Sequence, residues 1–518
     1  MKLAVSSMIS KIDAFCESEL GISTERLMQK SGVAVADAVR KKIPRGGSVV
    51  ILAGKGNNGG DGYATACELI GEYKVKVYDV FGKGQKSEAG KHFLSLFAEK
   101  GGEIASYAYS EEFRSEMYSV DCIVDAVFGT GFAGEMPEEL RPLAIAVRES
   151  VSPHKIAVDV PLGINPDDGS VSDFAISVGT TVALSFIKPG IISYPARAYV
   201  GEIIYADLGI PEDRIMEKFD FRYHMIDEKW VFDNLPEREE NSNKGTFGKL
   251  LLITGSEKYR GAAHLSAEAA LRGGVGLVSF LGCSDLVSEL SAKYPEIIYK
   301  TKNIDDSLTD EDIKEICALV NSHSATLIGS GSDNTAGLLR LVKAVLSEDG
   351  SPVILDADAI NALASDGEEG ILSLKRARRT VILTPHPLEF ARLSMSDVSS
   401  VQLHRLEASE KFAGENRVIL VLKGASTVIT DGHEVYINTS GSSALAKAGS
   451  GDVLAGLLSA FVAQNKCPSE VAAAIAVYLH AVAGQSLAGE YSVYGVTPSD
   501  LPKEIARTIA SHLENLQV

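Results

Sequence analysis

Two stretches of this sequence bring glycines, small polar residues and a carboxylate together where an apolar run meets a helical pattern. The first is GKGNNGGDGY, residues 54–63, between VVILA and ATACELI. Glycines there let the backbone fold closely around a ligand, and successive amide N–H groups beside a helix N-terminus attract phosphate. Asp61 would repel a phosphate unless it hydrogen-bonds a ribose hydroxyl or caps the helix, and Asn57 and Asn58 would equally suit an ordinary tight turn. Two later runs also end in acids: IVDAVFGTGFAGE carries Asp125 ahead of a second glycine loop, and IAVDVPLGIN carries Asp159. Ligands of open parallel sheets bind beyond the carboxyl ends of the strands, so three such ends bearing polar groups describe one pocket. Residues 129–134, GTGFAG, fit the dinucleotide formula G-x-G-x-x-G, with Asp159 ending the next strand as a ribose-binding acid would. That formula requires a helix opening inside the glycines, whereas EMPEELRPL delays it here, with Pro137 suited to a first turn. Classical hydride transfer therefore ranks below the other readings.

The second stretch is NTSGSSALAKAGSGDVLAGLLSAF, residues 438–461. It leads through GSGD into an apolar helix, so the amides near Gly449, Gly451 and Asp452 converge as an anion hole of the kind phosphoryl transfer needs. Asp452 stands beside the hole as a base for an acceptor hydroxyl, its ionised form favoured by the helix dipole. In isolation GSGD would serve equally as a dipole-stabilising helix start. Its context is the KGAST turn, residues 423–427, at the end of RVILVL, in a chain with no Walker A sequence.

Positioning such loops calls for parallel sheets. SVVILAG, KVKVYDVFG, DCIVDAVFG, KIAVDVPLG and TTVALSF alternate with helical patterns from residue 48 to about 207, the signature of a parallel α/β sheet. The stretch ERLMQKSGVAVADAVRKKI has helical spacing, a basic last turn and Pro44 beyond it, and should cover that sheet. Residues 209–247 lose any apolar period, and a second series follows: GKLLLITGS, VGLVSFLG, ATLIGSGSD, PVILDADA, TVILTPHP and RVILVLKGAS. At 518 residues the chain exceeds what one core sustains, so two unlike domains are expected, residues 1–215 and 225–518, with linker and domain entry over 216–247.

The 50 basic and 69 acidic residues give a net charge of −19, which excludes generic nucleic-acid binding. The six cysteines lie far apart without zinc spacing and read as reduced thiols. Serines, Lys11 and Asp13 interrupt the apolar start, and AAAIAVYLHAVAG is short for a span and contains His480, so a cytoplasmic protein without membrane contact is expected. Apolar helical faces permit a homo-oligomer.

The N-terminal half resembles the NAD(P)H-hydrate epimerases through GISTERLMQKSGVAVADAV, GKGNNGGDGY, DAVFGTGFAGE, DVPLGIN and YVGEIIYADLGIP, over nearly all of residues 1–215. The resemblance implies a Rossmann-like three-layer sandwich. It implies that the hydrated dinucleotide is bound by Asn57, Asn58, Gly59, Gly60 and Asp61 and by Gly129, Thr130, Gly131, Phe132, Ala133, Gly134 and Glu135. Asn58 and Asp125 match the family's potassium ligands, and oxygen donors suit such a hard cation. Where the family usually has a liganding serine this chain has Leu162, which could offer only its backbone carbonyl. Asp159 becomes the acid/base or substrate-orienting group.

The C-terminal half resembles the NAD(P)H-hydrate dehydratases of the ribokinase-like fold, a three-layer α/β/α domain. NKGTFGKLLLITGS, GAAHLSAEAALRGGVGLVS, GSGSDN, DADAINAL and LTPHPLEFARL occur in the family's order over about residues 225–515. By position, hydrate contacts fall on Ala263, Gly331, His386, Pro387, Leu388, Glu389, Phe390, Ala391, Arg392 and Asp452. Nucleotide contacts fall on Lys423, Gly424, Ala425, Ser426 and Thr427 and on Ser442, Ser443, Ala444, Leu445, Ala446, Lys447, Ala448, Gly449, Ser450 and Gly451. The implied reaction phosphorylates the misplaced ring hydroxyl of NADHX or NADPHX, after which phosphate leaves and the double bond returns. Asp452 is the implied base, His386 binds, and resemblance to the fused form implies ADP with magnesium, releasing AMP, with ATP as the alternative nucleotide. Two other readings stand beside this one: a ribokinase-type small-alcohol kinase fused to a dinucleotide-sensing domain, and a non-catalytic binding scaffold in the N-terminal half.

Overall fold

Along each strand of both apolar series, successive side chains enter two different cores. Val49, Ile51 and Ala53 pack into one cluster and Val50 and Leu52 into another. In the second series Leu250 and Leu252 join one cluster, Leu251 and Ile253 its opposite. Strands apolar on both faces must be covered on both faces, so each series builds a three-layer α/β sandwich. The computed structural model describes residues 1–82, 85 and 87–515. It divides into Lys2–Tyr223 and a second unit, His224–Val518 with Met1.

In the N-terminal unit the sheet order is Glu103–Ser106, Lys74–Asp79, Ser48–Ala53, Cys122–Ala126, His154–Val158, Thr180–Leu184, Glu202–Ala206, with every pair parallel. The order reverses beside Ser48–Ala53, where a crevice opens between loops that diverge to opposite faces. Helix Thr24–Lys42 begins at Ser23, whose side chain accepts from the Arg26 N–H, and ends in Arg40, Lys41 and Lys42. Its buried stripe, Leu27, Met28, Ser31, Val35 and Val39, has helical spacing and lies over the sheet.

In the C-terminal unit the order is Val435–Asn438, Thr427–Thr430, Ile419–Leu422, Val381–Leu383, Val353–Leu355, Ala325–Ile328, Lys249–Ile253, Leu277–Gly282, Ile298–Thr301. The pairs are parallel except at the Val435 end, where Ile419–Leu422, Thr427–Thr430 and Val435–Asn438 run antiparallel. KGAST is therefore a hairpin turn, closed by the Thr427 hydroxyl donating to the Gly424 carbonyl.

The structure adds detail to two expectations. Residues 216–247 are not simply a linker: helix Glu212–Lys218 and Phe221 complete the N-terminal core through Ile215, and helix Glu228–Asn234 buries Val231 in the C-terminal one. These elements are too short to show an apolar period. The AAAIAVYLHAVAG stretch belongs to a longer helix, Ser469–Gly495, which by length and composition could cross a bilayer. It is instead a core helix, with 78% of its most apolar window buried.

Candidate active sites

The N-terminal crevice is a cavity of about 390 Å³. Asn57, Asn58, Asp61, Gly129, Thr130, Gly131 and Asp159 all line it, as expected from the sequence. Two glycine loops meet there: a Cβ on Gly129 would lie 3.1 Å from Asn58 Oδ1. Asp159 follows strand His154–Val158 with φ 67, a conformation that side chains rarely adopt. The Leu184 N–H donates to its Oδ1 at 3.0 Å, and the Lys188 ammonium bonds the same oxygen. Lys188 is 1% exposed and also donates to the Leu184 carbonyl at 3.0 Å, so the pair is locked in the cavity wall.

Asp61 is no helix cap; Gly56 holds that position and Asp61 is buried in the second turn. Burial, with Asp159 and Asp13 nearby, pushes its carboxyl well above the usual range, against a hydrogen bond from Ser31. One acid and one lysine that were not singled out as site residues thus frame the site: Asp13 enters it from helix Ser6–Ser18, and Lys188 from the loop after Thr180–Leu184.

Other expected contacts are packing residues. Gly59 and Gly60 lie inside helix Asn57–Leu69, where a Cβ would fall 1.8 Å from the Gly54 carbonyl oxygen or 2.6 Å from Met28. Their smallness seats the helix rather than a ligand. Phe132 is buried against Phe128, and Ala133, Gly134 and Glu135 are exposed outside the cavity. Asp125 is 1% exposed and accepts N–H groups from Val127 at 3.1 Å and Leu162 at 2.6 Å; burial nevertheless raises its carboxyl to about 7. The Leu162 side chain is in the core, its N–H is on Asp125, and its carbonyl accepts from Ile176 at 3.0 Å. The cation reading must therefore rest on Asp125 and Asn58, whose amide nitrogen is buried without a partner among the described residues.

In the C-terminal unit four neighbouring strand ends form a row. Ser330 donates to Asp356 Oδ2 at 2.8 Å, Thr384 donates to Asp356 Oδ1 at 2.7 Å, and Lys423 Nζ lies 3.1 Å from the same Oδ1. Burial works against the Lys423 charge, but Asp356, Glu389 and Asp452 outweigh it and raise the ammonium above its ordinary value. A Cβ on Gly451 would lie 3.3 Å from Lys423 Nζ, so the lysine stands at the start of helix Ser450–Gln464. Gly449, at φ 98, makes the sharp entry to that helix. First-turn amides such as those of Gly451 and Asp452 have no acceptor within their own helix. Burial, followed by Asp356, Asp358 and Glu389, raises the Asp452 carboxyl to about 7, with Lys423 opposing. Asp356, the hub of this row, appeared in the sequence only within a family motif.

His386 and Glu389 cap each other: the His386 N–H donates to Glu389 Oε2 at 2.8 Å, and the Glu389 N–H to His386 Nδ1 at 3.2 Å. His386 Nδ1 is thus an acceptor, and its Nε2 lies 3.3 Å from Glu389 Oε1. Arg392 lines a polar cleft with Asn334, Asp358, Asn361 and Ser365, donating to Asn361 at 3.1 Å. Phe390 and Ala391 are core residues, Pro387 opens the helix and Leu388 is exposed. Ala263 is buried against Gly255, and Gly331, at φ 63, abuts Ala262 and Tyr259. Within 442–451, Ala444 and Leu445 pack into the core, and Lys447 donates to the carbonyls of Tyr494 and Val496, away from Lys423. That segment can offer backbone rather than these side chains.

His480, buried on helix Ser469–Gly495, fixes the glycine loop from behind: its Nε2 lies 3.1 Å from both the hydroxyl and the carbonyl of Ser450. Burial depresses its imidazole from 6.5 to about 4. Below pH 6.5 the unfolded chain binds a proton that the folded chain refuses. Stability present above that pH is therefore lost as pH falls toward 4, by about 3 kcal/mol in all. Urea unfolding at pH 7 and pH 5 should show a drop that largely vanishes in His480→Gln; an equal drop in both proteins would refute the assignment.

Residues 250–507 match the family described as NAD(P)H-hydrate dehydratase, and residues 24–190 match the YjeF-related protein N-terminus. The bifunctional NAD(P)H-hydrate repair enzyme of Moorella thermoacetica is 31% identical, covering 97% of this chain and 95% of that protein. The one from Coxiella burnetii is 32% identical over 93% and 94% respectively. Among solved structures, an ADP/ATP-dependent NAD(P)H-hydrate dehydratase from Bacillus subtilis, co-crystallised with ATP and Mg2+, is 30% identical. It covers 56% of this chain and 98% of its own, with a TM-score of 0.49. With both domain families matched in order and relatives aligned almost end to end, the chain belongs to the bifunctional NAD(P)H-hydrate repair enzymes.

Proposed function

We propose that the N-terminal unit interconverts the R and S hydrates of NADH and NADPH, and that the C-terminal unit dehydrates the S form using ADP, with release of AMP and phosphate. The observation carrying this reading is common to both units. Each has a glycine-bearing helix start at a strand end, beside a lysine ion-paired to a strand-end aspartate and a carboxyl that burial pushes toward neutrality. The alternative of a small-alcohol kinase is disfavoured by the dehydratase family match.

In the C-terminal site the hydrate's ring hydroxyl would lie against Asp452. The carboxylate takes the hydroxyl proton as the oxygen bonds to the transferring phosphoryl group and the bond to AMP breaks. The amides of Gly451 and Asp452, with the Lys423 ammonium, stabilise charge gathering on the phosphoryl oxygens. Phosphate then departs with the carbon–oxygen electron pair, and loss of a proton from the neighbouring carbon restores the double bond. Magnesium, delivered on the nucleotide, would neutralise phosphate charge, with Asp358 as a nearby hard donor. In the N-terminal site Asp159, held by Lys188, is the proton acceptor. A potassium ion would take the Asn58 amide oxygen and the buried Asp125 carboxylate, whose charge is met only by backbone N–H groups among the described residues, and it would supply charge balance beneath the loops.

Incubating the full chain with both hydrate epimers, ADP and magnesium should restore the near-ultraviolet absorbance of the reduced cofactor completely, with phosphate and AMP released. A stable phosphate ester would instead mean a kinase, and recovery of only the S fraction would remove the epimerase assignment.

A further inference from the structure

The N-terminal cavity contains a carboxyl that neither the resemblance nor the reading above employs. Helix Ser6–Ser18 buries Ile12 and Cys16, and Asp13, an exposed residue beside them, borders the cavity. Asp13 caps no helix and makes no hydrogen bond or ion pair among the described residues. Its side chain instead opens into the cavity between the apolar walls of Ile9, Ile12, Leu27 and Met28, in the company of Asp61, Asp159 and Lys188.

Resting on the epimerase reading, we propose that Asp13 is a second catalytic residue of this cavity, the carboxylic acid that gives and retrieves the proton while Asp159 acts as its basic counterpart. Inverting the hydroxyl-bearing carbon requires a bond at that carbon to break and to re-form from the other face. The carbon–oxygen bond breaks as Asp13 protonates the departing hydroxyl and the ring-nitrogen lone pair forms an iminium; the water released re-adds from the other face as Asp159 takes its proton, which returns to Asp13 by exchange with solvent, so the balance closes without any co-reactant. Asp159 is better placed to accept: its Oδ1 already takes the Leu184 N–H and the Lys188 ammonium. Lys188 is committed to Asp159 and to the Leu184 carbonyl. Asp61 accepts from Ser31 and is enclosed at the helix start. Asp13 is the acid with both oxygens open to a ligand. Its surroundings agree: desolvation in the cavity, with Asp159 adding, holds the carboxyl up at about 6 against the pull of Lys188. Two carboxyls with opposed environments in one cavity divide the acid and base roles.

Asp13→Asn in the full chain should slow R-to-S interconversion by about 10²-fold or more, with KM for the R hydrate changed less than threefold. Dehydration of pure S hydrate by the same protein should stay at the wild-type rate. Asp13→Glu should regain part of the activity, and the fall in wild-type epimerisation as pH rises above about 6 should be absent from the asparagine variant. Wild-type interconversion in Asp13→Asn, a rise in KM without a fall in kcat, or equal inactivity of the Glu and Asn variants would overturn the proposal. Absence of interconversion in the wild-type chain would instead sink the underlying epimerase reading.

Discussion

Asp452→Asn is expected to lower dehydration of the S hydrate by about 10²–10⁴-fold while leaving epimerisation at the wild-type rate. Asparagine keeps the shape of the side chain and both first-turn amides, so the anion hole and nucleotide binding survive; only the proton acceptor is removed. Burial and three neighbouring acids hold the Asp452 carboxyl at about 7. As a base it must be ionised, so wild-type kcat should climb with pH through about 7 and level off above. The variant's residual rate should lack that limb. Phosphate release and recovery of cofactor absorbance measure both. A variant dehydrating within threefold of wild type would show that Asp452 serves the helix dipole alone.

The loops that carry this chemistry were legible because they are contiguous. GKGNNGGDGY and AGSGD announce a strand end, a sharp turn and a helix start within a few residues, and Asp61 and Asp452 sit in them, while Asp159 ends an apolar run of its own. What was not legible is assembled across the sequence. Lys188 meets Asp159 from 29 positions away, and Lys423 meets Asp356 from 67. A lone lysine in a sequence reads as solvent-facing, since ammonium groups are rarely buried unless paired. Signals were nevertheless present. Asp356 ends the strand Val353–Leu355 as Asp159 ends His154–Val158, so the rule that found one would have found the other. Asp13 shares the apolar spacing of Ile9, Ile12 and Cys16. The rule misled at Gly59 and Gly60, because glycine permits close approach of any partner, and here that partner is the protein's own backbone and Met28.

Lys188→Met should be the most destabilising single change in the N-terminal unit, costing about 3–5 kcal/mol together with epimerase activity. The ammonium is 1% exposed and its partner Asp159 only 6%. Without it Asp159 stays confined at a strained φ of 67, with the Leu184 N–H as its remaining donor to Oδ1. The penalty is that of an unpaired buried charge, so it should be relieved by removing the charge. Lys188→Met combined with Asp159→Leu is expected to be markedly more stable than Lys188→Met alone, although equally inactive as an epimerase. Hydrogen-exchange protection of strand Thr180–Leu184, whose Val182 carbonyl accepts the Asp159 N–H and whose Leu184 carbonyl accepts from Lys188, reports the effect locally. Costs that simply add in the double variant would mean the two side chains are not coupled. The lysine would then be a packing residue, and Asp159 would need another source for the charge that holds it ionised in the cavity.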